Sequence, residues 1–177
     1  MPSSDSRGAR STEPDPVTLR AQRRSRLGRR VLLAILAAFV VLGATGLLGP
    51  HTSTRQASGG GYDLKVVYPA VTRPGLAIRW IVFVHRAGGF SEPIQLATTS
   101  TYFNLFDFAD IDPDPSSQIT SEELSIWEFD PPPGETLRIT LDARLEPARQ
   151  HGSTATTSIL EDDVPVVSIR YQTRVMP

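Results

Sequence analysis

Three aspartates at alternate positions, Asp110, Asp112 and Asp114, set carboxylates at the spacing of the first three ligands of an EF-hand calcium loop. The rest of that loop is missing. Its sixth position is Pro115, where a sharp turn needs glycine, and its twelfth is Ser121, where a bidentate glutamate should stand. The trio is therefore a candidate for a calcium site between loops, with Asp107 or Glu122 completing it. The competing expectation is a solvated acidic turn.

Immediately upstream, residues 101–108 read TYFNLFDF and carry four aromatics, Tyr102, Phe103, Phe106 and Phe108. Taken as one strand, Tyr102, Phe106 and Phe108 share a face and Phe103 joins Leu105 on the other. Some ring surface is then exposed, and exposed rings suit a sugar, a lipid surface or a protein partner. These four residues form a candidate interaction surface. The alternative is a covered strand, or a bent segment that plugs the end of a β-sandwich.

Catalytic and cofactor signals are weak. His51, His85 and His151 are scattered, without the helical pairing that zinc sites use. No G-x-S-x-G elbow occurs, and the glycine clusters do not open a helix, so a hydrolase nucleophile and a phosphate loop both lack support. Glu122 and Glu123 are adjacent, so on a strand they point to opposite faces, which weakens them as an acid–base pair. With no cysteine there is no disulfide, thiolate metal site or thiol nucleophile. The expectation is a protein without a cofactor and without enzymatic activity.

The elements that would position these residues follow from charge and hydropathy. The 177 residues suffice for one domain with appendages. Residues 1–30 hold eight arginines against Asp5, Glu13 and Asp15, a net of +5, whereas from Pro50 onward the net is −6. Cationic charge is carried by 17 arginines and one lysine, a bias that reads as that of a GC-rich, bacterial genome. Residues 31–49, VLLAILAAFVVLGATGLLG, contain no charge and no proline. As a helix they reach roughly 28 Å, close to the ~30 Å bilayer core. Arg20, Arg23, Arg24, Arg26, Arg29 and Arg30 precede them and nothing basic follows until Arg55. By the positive-inside rule this predicts an uncleaved signal anchor, with a cytoplasmic N-terminus and an exported C-terminal part. A cleaved signal peptide would have a shorter apolar run; Gly43-Ala44-Thr45 is only a weak cleavage site. Residues 1–30 then form an arginine-rich cytoplasmic tail that composition predicts to be disordered. Topology and lipid attraction account for its charge without nucleic acid.

Residues 50–61, PHTSTRQASGGG, read as a flexible tether. From Tyr62 onward, short runs of alternating or continuous apolar residues are divided by Pro/Gly turns. They place strands at 62–68, 78–85, 93–98, 101–108, 124–129, 137–145 and 164–175, with a shorter candidate at 156–160. The run at 78–85 is apolar on both faces and is expected to be central and well covered. The clearest alternation is Leu137, Ile139, Leu141, Ala143 and Leu145 against Arg138, Thr140, Asp142 and Arg144. It follows Pro131-Pro132-Pro133 and marks a strand covered on one side. The whole predicts a mainly β, immunoglobulin-like antiparallel sandwich of about seven strands over 62–177, behind one transmembrane helix.

Two stretches carry a family resemblance. Arg73-Pro74-Gly75 leads into 78–84 and then Gly88-Gly89, and Pro133-Gly134-Glu135-Thr136 leads into 137–141. This layout resembles exported bacterial immunoglobulin-like domains of the CARDB and DUF11 type over about residues 62–147. The chain departs from that pattern at His85-Arg86-Ala87, where an Asn usually precedes the glycine turn, and in the inserted segment 101–118. The resemblance implies an adhesion, scaffold or interaction module. The expected function is thus a single-pass membrane protein of the bacterial cell envelope. Its extracytoplasmic domain would bind or position another envelope protein, the bilayer being its other partner. A cell-wall glycan or ligand-binding module, using Tyr102, Trp127 or nearby rings, is the alternative.

Overall fold

The computed structural model describes residues 16–44, 49–148 and 151–176, with no side chain described at 16–27, 108 or 109. The chain divides into two compact units, Met1–Leu47 and Leu48–Pro177.

The first unit contains one long helix, α1 (Pro16–Ala44). Proline is favoured at a helix start, where its missing N–H has no partner to lose. Arginine, leucine and alanine then propagate the helix well. The tail expected to be disordered over 1–30 is therefore helical from Pro16 onward, and residues 1–15 lie outside the described residues. The apolar helix expected over 31–49 is the C-terminal part of α1 as far as Ala44; residues 45–48 lie outside the described residues, and Gly49 stands in a bend. Among the described residues no helix is long and apolar enough to cross a membrane. The apolar stretch with described side chains, 31–44, rises about 21 Å by helix geometry.

The second unit is mainly β. Its strands are β1 (His51–Gly59), β2 (Tyr62–Thr72), β3 (Ala77–Arg86), β4 (Ile94–Thr99), β5 (Phe106–Asp112), β6 (Ser117–Thr120), β7 (Leu124–Phe129), β8 (Thr136–Leu145), β9 (Ser153–Glu161) and β10 (Val164–Val175), with one helical turn, α2 (Ser100–Phe103). They form a continuous path in the order β5-β8-β3-β2-β10-β9-β4-β7-β6, and β1 pairs β2 off that path. The pairs are antiparallel except β2–β10, a short parallel contact of Arg174 with Val71 and Val175 with Thr72. The path curls there, so that its two halves face each other across one core. Trp80 of β3 lies 6.2 Å from Trp127 of β7, and its Nε1 donates to the Tyr171 hydroxyl of β10 at 3.0 Å.

Strand β8 buries Leu137, Ile139, Leu141, Ala143 and Leu145 and turns Arg138 and Arg144 outward, as its alternation predicts. Strand β3 is central, between β2 and β8. Only one of its faces is fully covered: Ile78, Trp80, Val82 and Val84 are buried, whereas Ile81 and Phe83 are half-buried. The cations of Lys65 and Arg138 lie 5.4 Å and 5.9 Å from the Phe83 ring, their stems shielding the outer face.

The tether expected over 50–61 is instead strand β1, joined to β2 through Gly60-Gly61, whose φ values are +59° and +80°. Two successive positive φ values suit the type I′ hairpin turn, and glycine reaches them without strain. A strand so polar shows no apolar alternation, because main-chain bonds to β2 rather than side-chain burial hold it. The β unit's strands therefore begin at β1, not at Tyr62, and its described residues form ten strands, not about seven. The additional ones are β1 and β6, with β9 extending the short candidate at 156–160.

Candidate functional site

Three of the four aromatics proposed as a surface, Tyr102, Phe103 and Phe106, occupy the core instead. The run 101–108 is not one strand: Ser100–Phe103 form a helical turn, and β5 starts only at Phe106. On a turn of helix neighbouring side chains are about 100° apart rather than on opposite faces, so Tyr102 and Phe103 both reach the core, and Leu105 and Phe106 are buried with them. Phe103 stacks edge-on against Trp80 at 5.7 Å and lies 5.0 Å from Trp127. The Tyr102 hydroxyl donates to Thr173 Oγ1, 2.8 Å away, whose own hydrogen goes to the Pro69 carbonyl at 2.7 Å. The Phe108 side chain lies outside the described residues. Burial pushes the Tyr102 and Tyr171 phenols well above their usual range, so both stay protonated. The expectation of an aromatic interaction surface is thus replaced by that of an aromatic plug.

The aspartate trio does not converge. Asp110 and Asp112 lie on edge strand β5 and Asp114 in the loop beyond it, all exposed. Asp110 Oδ1 accepts from the Ile111 amide at 3.0 Å, and its cross-strand neighbour is Asp142, which holds Arg79 at 2.7 Å. Asp107 sits opposite Arg144, and Glu122 is exposed before β7. Among the described residues no three His, Asp or Glu are grouped to hold a metal ion. His51 and His151 are exposed, and His85 Nδ1 lies 3.2 Å from Thr136 Oγ1.

Open clefts lie among the described residues, and two of them bear on function. One, of about 420 Å³, is floored by Phe103, Phe106 and Trp127 and rimmed by neutral groups that include Ser100, Asn104, Gln118 and Ser125, with Glu122 at its edge. Its rings are 4–7% exposed, so they offer edges rather than faces. Ser100 and Ser125 hydroxyls already pair at 3.0 Å.

The other, of about 580 Å³, was not foreseen. It is lined by Tyr62, Gln95, Leu160 and five carboxylates, those of Glu92, Glu128, Glu161, Asp162 and Asp163. Strand registers bring together turns that are far apart in the chain. Tyr62 sits opposite Arg86, Ile94 opposite Phe129, and Gln95 opposite Leu160. Arg86 Nη1 donates to the Tyr62 hydroxyl at 2.6 Å, its guanidinium lies 4.7 Å over the ring, and it meets Glu161 at 3.6 Å. Burial, then Glu161, raises the Tyr62 phenol, with Arg86 opposing them. Asp162 and Asp163 form the β9–β10 turn with φ of +51° and +61°. Asp130 and Glu135 lie in the β7–β8 turn and Asp63 beside the β1–β2 turn, at the same end of the sheet. Chemically this end attracts cations. Its only signal in the sequence was the tripeptide Glu161-Asp162-Asp163; the rest is assembled by pairing.

Known family models give no match to the chain, and neither do curated protein sequences. Among solved structures, a complex of CaDoc0917 with CaCohA2 is 12% identical, covering 60% of this chain and 94% of that one, with a TM-score of 0.39. A cohesin from Acetivibrio cellulolyticus scaffoldin B, in complex with a dockerin, is 12% identical over 72% of this chain and 99% of that one, with a TM-score of 0.37. The Pseudomonas fluorescens alkylpurine DNA glycosylase AlkC is 13% identical over 70% of this chain and 29% of that one, with a TM-score of 0.32. Likenesses this distant carry no argument about what this chain does.

Proposed function

We propose that the protein is a single-pass membrane protein of the bacterial cell envelope, with its N-terminus in the cytoplasm. Its extracytoplasmic β unit, an immunoglobulin-like sandwich, acts as a non-enzymatic interaction or accessory module for another envelope protein. The observation that carries this reading is the apolar part of α1. From Val31 to Leu42 its large apolar side chains are 48–66% exposed, and they occupy every side of the helix. A helix apolar all round, behind a cluster of arginines, is matched to lipid rather than to water. The β unit carries the net negative charge of the chain, which repels nucleic acid and suits a partner with basic surface.

The neutral cleft over Phe103, Phe106 and Trp127 favours a second reading, a glycan or small polar ligand. It ranks second because a sugar stacks on ring faces, and these rings are buried to their edges.

Because the chain has no cysteine, single cysteines report topology cleanly. In intact cells, Ser91→Cys in the exposed β3–β4 turn is expected to react with an impermeant maleimide, and Ser11→Cys only after lysis. The opposite pattern sinks the topology. Crosslinking of the full chain in its membrane then tests the partner: a dominant membrane protein supports the first reading, and wall glycan alone supports the second.

A further inference from the structure

Strand β1 is held mainly by its main chain. It lies against β2 by main-chain pairing from His51–Val71 to Gly59–Tyr62, and it runs alongside β10 at the seam where the sheet path curls. Its side chains are polar and mostly exposed, and Ala57 is its one residue packed against the core. The seam also reads residue size. A Cβ on Gly59 would lie 2.6 Å from the Val166 carbonyl oxygen, and one on Gly60 would lie 2.7 Å from Val166 Cβ. The groove between β2 and β10 therefore accepts an extended polar strand that ends in residues without a side chain, at the positions of Gly59 and Gly60. Beside it, Thr72 Oγ1 is buried with no hydrogen-bond partner among the described residues.

From this arrangement we propose that β1 is an exchangeable strand: two copies of the protein swap their β1 segments across the β2–β10 seam and form a dimer. The occupant is a second copy because β1 itself satisfies both the register and the small-residue requirement. The swapped and unswapped forms make the same pairings and differ only at the hinge. Gly60-Gly61 is a hinge that can open at little cost, since glycine takes the extended conformation as readily as the left-handed one. This inference concerns the β unit alone and stands whether or not α1 anchors the chain.

The test uses the purified full chain in detergent with Gln56→Cys and Lys65→Cys together. The two residues are Cα partners on β1 and β2, and both are exposed. In a closed hairpin the cysteines join within one chain; in a swapped pair they join two chains. Oxidation after incubation is expected to give a disulfide-linked dimer whose fraction rises at least several-fold with protein concentration and incubation time. Gln56→Cys alone should give no such dimer. Adding Gly59→Val, which the seam excludes, should abolish both crosslinks. Intrachain disulfide alone at every concentration overturns the proposal. So does the absence of both crosslinks in the double-cysteine chain, since β1 would then not occupy the seam at all.

Discussion

Replacing Phe103 by alanine separates an aromatic core from an aromatic surface. The ring is 6% exposed and lies within 6 Å of Trp80, Trp127 and Tyr102. Truncating a buried phenylalanine costs about 3–5 kcal/mol, a transfer loss plus the cavity left behind. Here the cavity forms between two tryptophans and a tyrosine that β3, β7 and α2 hold apart, so little collapse is available and about 4 kcal/mol is the expected loss. Against a typical total of roughly 5–15 kcal/mol this takes away a large share of the stability. With a urea dependence of about 2 kcal/mol per molar, the unfolding midpoint falls by about 2 M. Trp80 and Trp127 are the two tryptophans of the chain, and both touch Phe103, so their fluorescence follows the loss directly. The control is Ile119→Ala on edge strand β6, where the side chain is 65% exposed and the cost stays under about 0.5 kcal/mol. A midpoint for Phe103→Ala within about 0.3 M of the parent would refute the core assignment and restore the rings as a surface.

Three further outcomes follow from the same coordinates. Tyr102 and Tyr171 have phenols raised by burial, so between the unfolded value near 10 and the higher folded value only the unfolded chain ionises. Stability is then level up to about pH 10 and falls above it by about 1.4 kcal/mol per pH unit for each tyrosine; urea midpoints that stay flat to pH 11 would contradict this. Gly152→Ala places a Cβ against the Thr173 carbonyl oxygen, and forcing β9 away from β10 should cost about 1–3 kcal/mol, read as a lower thermal midpoint. Asp110, Asp112 and Asp114 are not gathered around one point, so Asp112→Asn should leave any effect of calcium on the thermal midpoint unchanged; a site there with Kd near 0.1 mM would add about 1.4 kcal/mol at roughly 1 mM calcium, and a rise of that size lost in Asp112→Asn would revive it.

What was legible in the sequence is what side-chain pattern controls. Strands β7 and β10 fall where their apolar residues place them, and β8 turns each of its alternating residues to the predicted face. What was not legible depends on the main chain or on distant pairing. β1 has almost no apolar side chain to announce it, so composition alone makes His51–Gly59 look like a tether. Residues 101–108 were misassigned because period two was imposed on a segment whose first half is a helical turn; that assumption alone put Tyr102 and Phe103 on opposite faces. The acidic end is invisible for a third reason. Glu92, Glu128 and Glu161 are far apart in the chain and become neighbours only through the β4–β7 and β4–β9 registers.

These corrections move the place where recognition has to occur. With Tyr102, Phe103 and Phe106 buried, the chain has spent these rings on joining the two halves of the sheet, and a sugar would find none of their faces to stack on. The surface left to a partner is charge at the turn end, where Glu92, Glu128, Glu161, Asp162 and Asp163 gather around Tyr62, and main chain at the edges and seam of the sheet. Charge of one sign steers a partner of the opposite sign and is weakened by salt, whereas strand exchange depends on register and residue size and is not. Ionic strength therefore discriminates between the two routes. A partner captured through the acidic end is lost as salt rises, while a β1-swapped dimer formed under the same conditions persists.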